Sequence, residues 1–474
     1  MRLRFLQLRH SYPTHCANMK WFLALPGLLA AGHAAAMPQL RAQSQTVLKT
    51  PSKHIGVGHF SEWSRATKKA FLMDWQAGKS SEWTIVMGNE GGDLDSMTAA
   101  ITWAYHLDHA TENDTHPVKA IALLQTPSHA LDLRPENKLA LDNSQMTVHH
   151  EDLLTSDEVP EDPETLSRKL KGIILVDHGE PLRKWRDAKI ISIFDHHKDR
   201  GTAPEASPRI FEKVASCTTV VARELLNELE KLPQEYHLNH EFLELILSAI
   251  AIDSGGLTSD KTTDEDISVA KRILARSNWK DDDLSKVMEE LDDELSSAQK
   301  DISQLGLRDL LRRDWKGDLI DTPSPRTPTV SLGFASIPYS LDEQIKKTDF
   351  AELFDWFAVH AAWTAEAGVD ISICLNKYKI KDKKTGKKEK IREVVLTVRD
   401  DTRVDQQQAD ALFKVIKDAL ENNKEGIELK PWHRADELSA RQMVWTHKSG
   451  AGRKVFRPIV EDAVIGWDKV DMEL

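Results

Sequence analysis

Four short runs of consecutive apolar or β-branched residues dominate the first half of the chain. They are WTIVMGN (83–89), VKAIALLQ (118–125), KGIILVDHGE (171–180) and AKIISIFDHHKD (188–199). Runs of this length, apolar on both faces, predict buried strands. Segments with apolar residues at helical spacing accompany them, notably DSMTAAITWAYHLDHA (95–110) and TTVVARELLNELEKL (218–232). Strands alternating with helices predict a parallel α/β sheet, in which ligands sit beyond the carboxyl ends of the strands.

A helical zone follows in three pieces, 241–259, 263–277 and 281–302. Charges at i, i+4 on the last piece predict an exposed linking helix. From about Leu305 the pattern changes to isolated strands at 329–337, 368–380 and 391–400 with helices between them. The expected fold class is therefore α/β: an N-terminal parallel-sheet domain followed by a smaller α+β domain, with the boundary near residue 285.

Composition narrows the function. The chain has 474 residues, 29% of them charged, with a formal net charge of −12. A net negative chain without a broad basic face excludes nucleic acid as the default partner. A polyanionic substrate would need a local basic site to draw it in against the global field. Cys16, Cys217 and Cys374 show neither zinc spacing nor a disulfide framework.

The N-terminus carries a second signal. No Asp or Glu precedes Glu62, and residues 19–40 read MKWFLALPGLLAAGHAAAMPQL. A lysine, a short apolar run and small residues, with Ala34 and Ala36 set for an A-x-A cleavage, predict a secretory signal if translation starts at Met19. Begun at Met1, the Arg-bearing leader reads instead as a mitochondrial presequence; retained, it would mark a cytoplasmic protein. The apolar run is too short to span a bilayer. The expected organisation is a leader over 1–36, a first domain over 37–284 and a second over 285–474, with the secretory route as the first expectation. The sequon Asn113-Asp114-Thr115 would accept a glycan there.

The polar tips of the segments hold the candidate chemistry. In order they are Asn89, Asp93 and Asp95; Asp177 and His178; Asp195, His196 and His197; and Asp253 after a helical stretch. A single strand-end Asp is ordinarily a helix cap, and a lone His pair is ordinarily structural. Four separate segments ending in oxygen or imidazole donors form a different pattern. Carboxylate with imidazole, and no Cys nearby, suits Mg2+ or Mn2+. Two such ions about 4 Å apart, sharing a carboxylate, would need this many ligands and could split a phosphoanhydride bond.

The motifs GNEGGDLDS, LVDH, DHHKD and AIDSGGLTSDKTTDED, in this order, resemble the four motifs of the DHH phosphoesterase superfamily. The later RRDWK (312–316) and SGAGRKVFRP (449–458) resemble the second domain of the branch that holds family II inorganic pyrophosphatases and DHH-type exopolyphosphatases. The resemblance implies an active site between the two domains and two divalent cations, Mg2+ or Mn2+. It assigns Asp93 and Asp177 to one ion, and Asp95, Asp177, His196 and Asp253 to the other, with Asp177 bridging. It makes His197 the general acid toward the leaving phosphate. It gives Lys316, Arg453 and Lys454 the phosphate oxygens, which an Arg fork and Lys point charges suit.

Where most of the superfamily begins its first motif with His, this chain has Asn89. An amide oxygen is a weaker ligand than an imidazole nitrogen, and Asn here resembles the exopolyphosphatase branch, so Asn89 is expected at a metal or at substrate. The expected reaction is hydrolysis of terminal phosphate from inorganic polyphosphate by a metal-activated water. The alternatives are an inorganic pyrophosphatase or short-chain nucleotide polyphosphatase of the same fold, and a homologue that binds polyphosphate or a partner without turnover. KIKDKKTGKKEKIR (379–392) reads as a solvated hairpin tip or as a basic landing strip for a long polyanion.

Overall fold

The computed structural model describes residues 59–109, 118–146, 151–232, 236–381 and 388–467. The expected leader, the Asn113 sequon and the tip of the lysine-rich segment lie outside these. The first half builds one sheet from β1 (Trp83–Met87), β2 (Lys119–Leu124), β3 (Leu154–Thr155), β4 (Gly172–Val176), β5 (Ile190–Asp195) and β6 (Arg209–Phe211). The strand order is β3-β2-β1-β4-β5-β6 and every neighbouring pair is parallel.

β1 and β4 are buried along their whole length, which is why they read as unbroken apolar runs. Val86, Ile174 and Phe194 meet Trp103 and Phe242 on one face of the sheet. Ile85, Met87, Ile173 and Leu175 meet Phe71 and Trp185 on the other. The helices of this half are α1 (His59–Gln76), α2 (Leu94–His109), α3 (Pro135–Asn143), α4 (Pro163–Lys169), α5 (Cys217–Leu229), α6 (His240–Ser254), α7 (Asp264–Leu274) and α8 (Leu284–Lys300). The linking helix expected over 281–302 is α8, and it is not free-standing. It buries Val287, Met288, Leu291 and Leu295 in the same core as α6 and keeps its charges on the outer face.

The second half holds α9 (Leu307–Arg313), β7 (Trp315–Asp321), β8 (Thr329–Ile337), α10 (Leu341–Ile345), α11 (Leu353–Glu366), β9 (Ile371–Lys381), β10 (Lys388–Val398), α12 (Gln406–Glu421), β11 (Lys430–Pro431), β12 (Gln442–His447) and α13 (Arg453–Gly466). Its sheet runs β11-β12-β10-β9-β8-β7, with β8 and β9 parallel and the other pairs antiparallel. Leu412, Ile416, Phe456 and Val460 of α12 and α13 cover one face.

The two halves meet at a mixed junction. Ala130 and Leu133 share an apolar cluster with Leu310 and Trp356. Arg313 pairs with Glu136 at 3.3 Å, and Arg134 pairs with Asp314 at 3.5 Å. These contacts bring β7 to the loop that follows β1.

Candidate active site

β1 ends at Met87 and β4 at Val176, neighbours at the point where the strand order reverses. The loops that follow diverge there and leave a crevice. Asp177 opens the β4 loop with a left-handed φ of 59°, a conformation costing about 1 kcal/mol for an L-residue. Its N–H donates to the Phe194 carbonyl of β5 at 3.0 Å, which fixes it in place. One carboxylate oxygen, Oδ2, accepts from Asn89 Nδ2 at 2.5 Å. The other, Oδ1, is buried with no hydrogen-bond partner and lies 3.2 Å from His196 Nε2.

The histidine pair is oriented from behind. His196 Nδ1 lies 3.1 Å from the Val214 carbonyl, a hydrogen bond that turns Nε2 toward Asp177. His197 Nδ1 lies 2.8 Å from Asp195 Oδ1, so Nε2 is the outward nitrogen of that ring. Ligand atoms of Asp177, His196 and His197 all fall within 4.8 Å of one another. Asp253, on the last turn of α6, lies within electrostatic reach of Asp95, Asp93, Asp177 and His196.

Electrostatics mark this cluster as short of positive charge. Burial, then repulsion from Asp95 and Asp93, pushes Asp177 up to about 7. Burial and the neighbouring Asp95, Asp93 and Asp177 push Asp253 well above the carboxylate range. Burial opposes the imidazolium of His196, but the close approach of its Nε2 to Asp177 and the nearby carboxylates outweigh it and draw its pKa up to about 10. Burial also opposes ionisation of Asp195, yet the His197 hydrogen bond holds its pKa down.

A divalent cation fits these donors. It would satisfy the orphaned, buried Asp177 Oδ1 and relieve the repulsion among the carboxylates. Oxygen-rich donors with one or two imidazoles suit Mn2+ or Mg2+.

Asp93 and Asp95 have structural partners of their own. Asp93 Oδ1 accepts the Ser96 N–H at 3.1 Å and so caps α2. Asp95 is buried and accepts from Ser216 Oγ at 2.6 Å, Thr218 N at 2.7 Å and Cys217 N at 2.7 Å. The N-terminus of α5 therefore compensates the Asp95 charge, in addition to any cation. A carboxylate offers about four acceptor sites, so one lone pair of Asp95 remains for a metal. Asp95→Ala should destabilise the chain by roughly 3 kcal/mol, because buried donors lose their acceptor. Urea unfolding in EDTA checks this, since metal binding contributes nothing there; an unchanged midpoint would remove the structural role.

Asn89 is neither free nor turned toward an open ligand position. Its Nδ2 holds Asp177, while its Oδ1 accepts from Gly91 N at 2.7 Å and Lys316 Nζ at 3.0 Å. Lys316 thus reaches the crevice from β7. Gly91 permits the approach: a Cβ there would stand 2.5 Å from Lys316 Cε. Gly91→Ala should displace Lys316 and lower kcat/KM about tenfold or more, since small misplacements cost that much. A steady-state assay reads it.

The remaining phosphate candidates divide. Lys454 is exposed at the start of α13. Arg453 is committed to Asp314 at 2.9 Å and to Ser336 Oγ at 2.6 Å, so its fork builds the second domain rather than standing open. Sequence reasoning did not single out Asp314, which binds both Arg453 and Arg134, nor Glu90. Burial opposes the charge of Glu90, but Lys316, His178 and Arg457 hold its pKa down. It also left Asp195 without a role, although its place at the head of the DHH motif was visible. A cavity of about 350 Å3 opens at the junction beside Gly91, Lys184, Arg134 and Trp315. Asp177, His196 and His197 do not line it; they lie across the Asn89 loop.

Comparison with known proteins agrees with this architecture. Residues 83–250 match the DHH family, N-terminal domain, and residues 293–463 match the DHHA2 domain. A Schizosaccharomyces pombe protein named "Putative exopolyphosphatase" is 29% identical over 302 residues, covering 61% of this chain and 73% of that one. A Methanocaldococcus jannaschii manganese-dependent inorganic pyrophosphatase is 28% identical over 236 residues, covering 49% and 66%. The Bacillus subtilis manganese-dependent inorganic pyrophosphatase is 24% identical over 193 residues, covering 40% and 53%. With both matched domains in order and the motif residues gathered at one sheet switch point, the chain belongs to the DHH phosphoesterase superfamily, in the branch that carries a DHHA2 domain.

Proposed function

We propose that this chain is a phosphoanhydride hydrolase that removes terminal orthophosphate from linear polyphosphate, using two divalent cations, Mg2+ or Mn2+. Asn89 carries the choice of substrate. Where an imidazole would ligate metal, its amide ties Asp177 to Lys316, so a cation from the second domain sits at the crevice. The S. pombe relative supports the same reading.

In this reading Asp177 would be shared by both ions, with Asp93 holding one and Asp95, His196 and Asp253 the other. Bound cations lower the pKa of water toward neutrality, so hydroxide is available as nucleophile. Lys316 and Lys454 hold phosphate oxygens. His197 gives a proton from Nε2 to the bridging oxygen as the terminal P–O bond breaks, and Asp195 keeps that nitrogen in the donor role when the ring is charged. The products are orthophosphate and a chain one unit shorter.

Phosphate release from long-chain polyphosphate, tripolyphosphate and pyrophosphate, compared side by side with Mg2+ and Mn2+, tests the reading. Release from long chains with little pyrophosphate cleavage is expected. Fast pyrophosphate cleavage with idle long chains would establish the second reading, which the M. jannaschii and B. subtilis relatives favour.

A further inference from the structure

β9 and β10 form a long two-stranded ribbon, and its register sets cations against cations. Lys377 stands opposite Arg392, Lys379 opposite Lys390, and Lys381 opposite Lys388. Alternate residues share a face of a strand, and directly opposed residues share it across the pair. One face of the ribbon thus sets two like-charge pairs, Lys377 with Arg392 and Lys379 with Lys390, one after the other. Like charges placed directly opposite each other destabilise a sheet. Among the described residues, none of Lys377, Lys379, Lys390 and Arg392 forms an ion pair with a carboxylate. The acidic residues adjacent in sequence, Glu389 and Glu393, alternate to the other face, where Glu389 pairs with Lys448 at 2.5 Å and Glu393 accepts from Asn376 and Tyr378. Lys377, Lys379 and Lys390 are exposed. A chain with net charge −12 has acid to spare, yet this face lacks it.

The root of these pairs lies beside the active site. Arg392 Nη1 donates to the Ser449 carbonyl, at the start of the loop that leads to Arg453 and Lys454. On the other strand, Lys377 keeps its side chain exposed, yet partial desolvation where it leaves the sheet, and the charges of Arg392, Lys390, Lys379 and Lys261, hold its pKa down. Lys261 belongs to the first domain, in the loop that follows Asp253. The paired cations therefore start between two loops that flank the crevice and continue along the ribbon from Lys377 to Lys379.

We propose that this face of the β9–β10 ribbon is an exosite for the internal phosphates of a long linear polyphosphate whose end occupies the Asp177–His197 crevice. The inference deepens the polyphosphatase reading and rests on it. Evenly spaced cations match an evenly spaced polyanion, and a pyrophosphate with both phosphates in the crevice leaves none for them. The exosite sets chain-length preference and retains the shortened chain after each cleavage.

The test is the variant Lys377→Gln/Lys379→Gln/Lys390→Gln in the full chain, which leaves Arg392 on its carbonyl. Two measurements separate the exosite from the reaction. First, binding of long-chain polyphosphate is measured in EDTA, where no turnover occurs. The variant should bind about tenfold more weakly, and its salt dependence, the slope of log K against log salt, should fall by about 2, the counterion release of three contacts. Second, with Mg2+, the ratio of kcat/KM on long chains to that on tripolyphosphate should fall about tenfold. Unchanged affinity and an unchanged ratio overturn the exosite while leaving the reaction standing. If the wild-type chain binds long polyphosphate in EDTA but hydrolyses no linear chain, the reaction fails and the ribbon is judged by binding alone. Loss of affinity for RNA or anionic vesicles, with polyphosphate affinity intact, would assign the face to another partner and overturn the proposal.

Discussion

Asp177→Asn should reduce phosphate release by about 10³–10⁵, the several kcal/mol that loss of shared metal charge stabilisation costs at tenfold per 1.36 kcal/mol. The substitution is nearly isosteric, and Asn tolerates the left-handed backbone that Asp177 adopts, so the fold should survive. Metal analysis of the dialysed variant should show less than the wild-type content, because one change weakens both ligand sets. A near-normal rate would remove the bridging assignment. A second readout follows from protonation. In the metal-free chain Asp177 is raised from 3.8 to about 7, chiefly by burial. The unfolded chain ionises first, so this group contributes stability below about pH 4 that is lost as pH rises through 7. The metal-free melting temperature should decline across that window on this account, and Asp177→Asn should flatten the decline. Metal competes with the same proton, so affinity for Mn2+ should climb over the same range.

His197→Gln is the second large effect, a fall in kcat of about 10²–10⁴, the range for general acid–base catalysis. Its ring sits within ligand distance of Asp177 and His196, so a ligand role is the competing account. The two separate cleanly. If His197 is a proton donor, the variant loses rate while its metal content stays intact. A ligand takes metal with it. Asp195, which bonds Nδ1 of the same ring at 2.8 Å, acts as a positioning residue. Its replacement by Asn should reproduce part of the loss in kcat with KM little changed.

Much of the first sheet was legible because β1 and β4 are buried on both faces and must read as unbroken apolar runs. β3, β6 and β7 were not. β3 and β6 are two and three residues long, too short to show a period. β7 is only half buried along WKGDLID and alternates no apolar face. α8 looked like a free linker because its charges fill the outer surface, while four apolar residues at helical spacing suffice to bury its inner one. In the site, residue types and order announced metal chemistry, since few other uses gather carboxylates and imidazoles at strand ends. Geometry supplied what order cannot. It showed that Asn89 is spent on Asp177 and Lys316, that Arg453 is spent on Asp314, and that the lysines of the ribbon oppose one another in register.

The three hydrogen bonds that Asp95 accepts from the start of α5 also bear on how this chain would age. A lineage freed from catalysis would shed Asp177 and the histidines at little cost to folding, and shedding Asp177 would remove a left-handed Asp and an underpaired charge. Asp95 could not follow, because its loss would unseat α5 from α2. A descendant that retains Asp95 alone among the motif carboxylates would therefore be a folded relic, recognisable as such from one residue.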